Sequence, residues 1–272
     1  MSGQFRFGVG VNHLQSRTAL LDNARRFEDL GFDVFIVPDH LGAIAPFPAL
    51  AAVAAVTSTI RLGTNVLNCG FYRPALLARD AADVATLSEG RLELGLGAGY
   101  VRQEFEAAEL PYPTAGQRVR HLEHCVAYLR EHHPDIPLLV AGNGDRVLTL
   151  AAQHAQIVGL TGSDLGKGVA DPLAERVEFV REATDGREVE LNLTITAAPT
   201  DETGHADLSL MRRYAPHSSD EELTRLPGVL SGTPRDMADQ VHTLQERYGI
   251  SYLTVMLRHA EQFAKVIAEL RQ

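Results

Sequence analysis

Short apolar runs alternate with longer amphipathic stretches eight times along the chain. The runs at 5–11, 32–37, 60–67, 91–96, 137–140, 156–160, 189–195 and 251–257 are mostly apolar on both faces. That is the pattern of parallel strands buried between two layers. The stretches between them carry helix punctuation. The one at 17–30 ends at Gly31; 73–88 has Pro74 in its first turn and Gly90 past its end; 234–248 is closed by Gly249. Helices are also expected at 47–57, 117–132, 145–154, 172–184 and 262–270. Eight β–α units in 272 residues, roughly 34 apiece, predict a (β/α)8 TIM barrel filling 1–272 as one domain. An open doubly wound sheet would place a glycine fingerprint after its first strand, and Val9-Gly10-Val11-Asn12 supplies none. The stretch 197–230, with Pro199, Gly204, Pro216, Pro227 and Gly228, resists the alternation and reads as an irregular excursion, the usual form of a lid or binding loop.

Charge narrows the function classes. Lys and Arg total 25 against 35 Asp and Glu, a net charge of −10, and no basic run exceeds two residues. This argues against a nucleic-acid or membrane-surface binder. Two cysteines make no disulfide framework, the amino terminus shows no secretory pattern, and no apolar stretch reaches 18 residues. The expectation is a soluble cytoplasmic protein.

Barrels of this kind carry their chemistry where strands end and helices begin. Asp39-His40 ends the second strand, where a histidine can give or take a proton, or is simply a loop residue beside a capping aspartate. Gly95-Leu96-Gly97-Ala98-Gly99-Tyr100 ends the fourth; it lets a flat ligand or phosphate approach the backbone, or serves close packing. It misses the dinucleotide fingerprint, with Tyr100 at the third glycine position. Gly142-Asn143-Gly144-Asp145-Arg146 runs from a strand into a helix and reads as an anion-binding turn or an ordinary glycine turn capped by Asp145. Thr161-Gly162-Ser163 ends the sixth strand. No H-E-x-x-H, C-x-x-C or G-x-S-x-G occurs; Cys69 reads as a buried inert thiol and His132-His133 as a helix-end dipole contact, so no metal site is expected.

Four segments together carry a resemblance: FDVFIVPDH, PFPALAAVAAVTSTIRLGTNVLNCGFYRPALLARDAADVATLSEGRLELGLGAGYVRQEF, PLLVAGNGDRVLTLAAQHAQIVGL and GTPRDMADQVHTLQERYGISYLTV. They resemble the bacterial luciferase-like superfamily, and within it the actinobacterial oxidoreductases that use the deazaflavin coenzyme F420. The resemblance implies a homodimeric barrel holding a flavin or deazaflavin at its C-terminal mouth. It implies that His40 lies beside the reactive centre of the ring, with Asp39 its neighbour in the cofactor pocket. Asn65-Val66 takes the position of a non-proline cis peptide behind the ring, and Gly97, Ala98, Gly99 and Tyr100 that of the loop lining it, with Gln103 assisting. Gly142, Asn143 and Gly144 match the phosphate-binding turn.

Two departures stand out. Tyr100 replaces the acidic catalytic residue of the superfamily's sugar-phosphate dehydrogenases, which argues against that activity and offers Tyr100 as a second hydrogen-bonding catalytic group. The chain also runs from His133 almost directly into the fifth strand, without the longer excursion relatives carry, so the mouth is either more open or covered by 197–230. The resemblance implies hydride transfer with a small organic or peptide substrate. Reduction of an activated C=C bond, as in a dehydroamino acid, or of a C=N bond fits, as does oxidation of an alcohol. Two alternatives remain: a reduced-FMN monooxygenase served by a partner reductase, and a catalytically silent flavin-binding paralogue.

Overall fold

A computed structural model describes residues 4–13, 15–162 and 169–271; Ser163 lies outside them. The expected units form in the expected order. Strands β1 (Arg6–Gly10), β2 (Val34–Ile36), β3 (Arg61–Gly63), β4 (Leu67–Asn68), β5 (Leu92–Gly97), β6 (Leu138–Ala141), β7 (Ile157–Leu160), β8 (Glu190–Ile195) and β9 (Ile250–Met256) are all parallel. Closure comes from β1, which pairs with both β2 and β9: Val9 stands opposite Phe35 on one side and Val255 on the other. Eight positions thus form a closed barrel.

The third position corrects the continuous strand expected at 60–67. It breaks at 64–66 into β3 and β4, and both pair with β5. The Thr64 hydroxyl fills the break by donating to the Gly95 carbonyl and accepting from the Gly95 N–H, each at 2.8 Å. A side chain therefore supplies the ladder partners that the bulged backbone gives up. Gly95 is required there, because a Cβ would lie 1.8 Å from the Thr64 carbonyl oxygen.

Helices α1 (Arg17–Asp29), α2 (Pro46–Ala54), α3 (Pro74–Leu87), α5 (Ala115–His132), α6 (Asp145–His154), α7 (Pro172–Ala183), α10 (Pro234–Tyr248) and α11 (Ala260–Leu270) are the expected ones. Three short helices join them: α4 (Arg102–Ala107), α8 (Met211–Tyr214) and α9 (Asp220–Thr224). The latter two sit in the 197–230 excursion, which is more ordered than its composition suggests. Ala197, Leu208, Leu223 and Val229 build a small core of their own there, and Ser219 and Glu222 form a reciprocal cap at the start of α9.

The main core lies between strands and helices, with Phe7, Phe27, Phe35, Leu50, Leu77 and Phe263 fully buried in it. Each such side chain contributes on the order of 1.5–3 kcal/mol. A second, separate cluster fills the barrel interior: Val34, Ile36, Leu139, Ile157 and Tyr252. Below it, at the N-terminal end, Arg6 pairs with Glu93 and Glu190, Arg61 Nε donates to Glu93 at 3.2 Å, and the Tyr252 hydroxyl donates to Glu93 at 2.7 Å. Among the described residues the lower end is thus plugged by charge and the middle by hydrocarbon, and the barrel opens upward. No helix among the described residues is long and apolar enough to cross a membrane.

Candidate active site

At the C-terminal end of the barrel the interior widens into a cavity of about 660 Å³. That is the size range of small-molecule and cofactor sites. Asp39 and His40 reach it from the end of β2. Asn65 and Val66 enter from the β3–β4 break, and the peptide bond between them is cis, as the resemblance implies. Gly97, Ala98, Gly99 and Tyr100 line it from the end of β5, and Gly142 and Asn143 from the end of β6. Ten of the twelve residues singled out from the sequence therefore meet around one cavity. The other two do not. Gln103 is exposed on α4, outside the lining, because the helix turns its neighbour Glu104 inward instead. Gly144 is the exposed N-cap of α6, one residue past the turn that reaches the cavity.

Local sequence explains the cavity's shape. Gly99 adopts φ +73°, and a Cβ there would lie 2.0 Å from the Asn68 side-chain oxygen. Only glycine lets the loop curl back against Asn68. Asn68 is itself fixed, its side chain accepting from Gly70 N–H at 3.0 Å and its own N–H donating to Asp39 Oδ2 at 3.1 Å. Burial pushes the Asp39 carboxyl above its usual range, and the hydrogen bonds from Asn68 and Tyr72 offset only part of this. The Tyr72 phenol is pushed up in turn, first by burial and then by the Asp39 charge.

His40 stands at the rim with 47% of its side chain exposed, and its Nδ1 lies 2.8 Å from Glu104 Oε1. Sequence reading missed this contact because α4 is six residues long with a single buried apolar residue, Phe105, too short to show a helical period. Tyr100 sits on the lip, 73% exposed, with its carbonyl accepting the Tyr112 hydroxyl at 3.1 Å.

On the far side, the amino end of α6 opens on the cavity through Gly142, Asn143 and Val147. The Asn143 carbonyl accepts from Arg176 at 3.2 Å, and that guanidinium, nearly wholly buried, is also paired with Asp145 and Glu175. The Val147 and Leu148 N–H groups both donate to the Gly144 carbonyl, and the positive end of the helix dipole faces this side, which suits an anion. Thr194 and Thr196, at the end of β8, complete the wall. Their signal is visible in the sequence: Glu190, Asn192, Thr194 and Thr196 alternate with apolar residues, a polar stripe pointing into the barrel. Among the described residues none of 197–230 lines the cavity, so that excursion does not form its cover. The described residues also hold no group of three or more His, Cys, Asp or Glu placed to bind a metal.

The residues present fit a flavin-like group. Val66, Leu67, Ala98 and Ala141 offer apolar wall for a flat ring, with His40 on one side of the cavity and the α6 anion turn on another.

Known proteins resemble the chain in sequence over its first half and in fold along its length. The luciferase-like monooxygenase family profile matches residues 2–131. An F420-dependent glucose-6-phosphate dehydrogenase of Kribbella flavida is 36% identical over 122 residues, 41% of this chain; the match spans only 36% of that relative's length. The F420-dependent tetrahydromethanopterin reductase of Methanopyrus kandleri superposes with a TM-score of 0.76 at 17% identity, over 97% of both chains. A monooxygenase of Streptomyces bottropensis does so equally, with 0.76 at 17% identity over 98% of this chain and 100% of its own. The sequence likeness to the luciferase-like family is thus confined to residues 2–131, while the barrel fold is shared along nearly the whole length.

Proposed function

We propose that this chain is an oxidoreductase that uses coenzyme F420 to transfer hydride to or from a small organic or peptide substrate. The observation that carries the reading is the meeting of His40, the glycine loop at 97–99 and the α6 anion turn around one cavity at the mouth of the barrel. The F420 dependence of the Kribbella flavida relative supports the choice of cofactor. When bound, F420 supplies a two-electron hydride at ring carbon C5.

The chain's own residues do the rest. Gly97, Ala98 and Gly99 with Val66 hold the ring, and Gly142 and Asn143 hold its phosphate tail. His40 gives or takes the accompanying proton at the rim. Tyr100 adds a hydroxyl on the substrate side. The hydrocarbon plug beneath excludes water from below and fixes the approach to one face. A tyrosine at position 100 disfavours oxidation of a sugar phosphate. Reduction of an activated C=C or C=N bond, or oxidation of a simple alcohol, is the better fit.

The equal fold similarity to a monooxygenase keeps reduced FMN as the second reading. Against it, the strand-end loop offers Ala98 where a cation on the FMN phosphate is wanted, with Arg102 paired to Glu106 instead. Titrating the purified chain with F420 and, separately, FMN tests the choice. Saturable quenching of F420 fluorescence is expected, with FMN binding at least about tenfold weaker, a difference of 1.4 kcal/mol. Tighter binding of FMN, with oxygen consumed when it is reduced, would reverse the assignment.

A further inference from the structure

We propose that Glu104 is the positioning residue of His40: its carboxylate holds the Nδ1–H and leaves Nε2 as the nitrogen that exchanges a proton. An ionised carboxylate can only accept, so a hydrogen bond of 2.8 Å between Glu104 Oε1 and His40 Nδ1 requires the proton on Nδ1. Among the described residues Nε2 has no hydrogen-bond partner. A neutral imidazole in water prefers the opposite tautomer, with its proton on Nε2. The pair therefore changes which nitrogen is basic, as partners of other functional histidines do.

The surroundings commit Glu104 to this task. The other two charges on α4, Arg102 and Glu106, pair with each other on the solvent side at 2.8 Å. Asp39, the carboxylate next in sequence to His40, is engaged by Asn68 and Tyr72. Glu104 has 15% of its side chain exposed against 47% for His40, so the carboxylate is the sheltered member and the ring the accessible one.

A six-residue helix cannot hold its own rotation. Here Phe105 sets it. That ring is 1% exposed and lies 5.4 Å from Phe71 and 5.2 Å from Tyr112. It seats only because residue 70 is glycine, since a Cβ there would come within 2.5 Å of the ring. Successive helical residues are about 100° apart, so seating Phe105 fixes the direction of Glu104.

The inference rests on the oxidoreductase reading for its consequence, not for its test. Nitrogen-15 NMR of the histidine-labelled full chain, with no ligand added, reads the tautomer, and His40 is identified by the signal lost in His40→Gln. At a pH where the ring is neutral, the wild type is expected to show His40 protonated at Nδ1. Glu104→Ala should shift the population to the Nε2–H form. Glu104→Gln, whose amide can donate to Nδ1 as well as accept from it, should weaken the preference for Nδ1–H. A wild-type ring already protonated at Nε2, or an unchanged tautomer in a folded Glu104→Ala chain, would overturn the proposal. If Glu104→Ala does not fold, the wild-type spectrum decides: Nδ1–H supports the pairing, and Nε2–H sinks it. If the tautomer is as expected and F420 does not bind, the positioning role stands and the cofactor assignment falls.

Discussion

The two ends of the barrel interior both carry ionisable groups, and they treat them oppositely. At the N-terminal end, Glu93 has 4% of its side chain exposed and is surrounded by Arg6, Arg61 and the Tyr252 hydroxyl. Every charge there faces an opposite charge or a donor. Burial pushes the Glu190 carboxyl up while Arg6 pulls it down, and the Tyr252 phenol is raised by burial and by Glu93. At the C-terminal end, His40 is half exposed, Asp39 is held above its usual range by burial, and the space between strands is left open. A satisfied network contributes rigidity, while groups left with unused bonding capacity in a cavity are the ones able to act on a ligand.

If the ends are specialised in this way, damage at each should be separable. The largest effect is expected from Glu93→Ala. It strips the carboxylate from two guanidiniums and a buried phenol, and removing one member of a buried pair typically costs about 3–5 kcal/mol. Urea denaturation should show that loss. F420 affinity of the protein that remains folded should change little, since Glu93 does not line the cavity. A large loss of affinity with unchanged stability would show that the lower network shapes the upper site.

The converse substitution is His40→Ala. Stability should shift by no more than about 0.5 kcal/mol, as for most exposed sites. Turnover should fall at least about a hundredfold, near 2.7 kcal/mol, the ordinary loss when a proton-transfer group is removed. Rates in F420-linked reduction of an activated alkene would check this. Undiminished turnover would show that His40 moves no proton in the rate-limiting step, and loss of F420 binding alone would make it a binding residue.

The sequence exposed the upper end better than the lower, for physical reasons. Glycines and a histidine at strand ends stand out because their only alternatives are turns and caps, so the lining from 39–40, 97–100 and 142–143 was readable. The lower network was not, since Arg6, Glu93 and Glu190 are far apart in the chain and meet only on closure. The same holds for Glu104, which reaches His40 from 64 positions away through a helix too short to leave a period. The strand at 60–67 was read whole because its apolar pattern is unbroken. What splits it is the Thr64 hydroxyl bonding Gly95, a substitution of side chain for backbone that hydropathy does not register.

The contrast also has a smaller, pH-dependent form, between Asp39 and one carboxylate outside the barrel. Glu28 near the end of α1 would be raised by burial, but it accepts hydrogen bonds from Ile60 N–H, from the Thr59 N–H and hydroxyl, and from Ser58 N–H. Those donors win and pull it from 4.5 down to about 2, whereas Asp39 moves up. A carboxylate with a lowered folded value binds its proton more weakly folded than unfolded. Its contribution is therefore complete above pH 4.5 and is lost as pH falls from there toward 2. Discounted for the partial exposure of Glu28, that contribution is on the order of 1–2 kcal/mol. Glu28→Gln keeps one acceptor and removes the titration. Its melting temperature should start slightly below wild type at pH 6, and the gap should narrow as both are acidified to pH 2. Parallel curves would mean that the four donors pay no heed to the charge, and that satisfied carboxylates outside the barrel do not share the behaviour inferred for those within it.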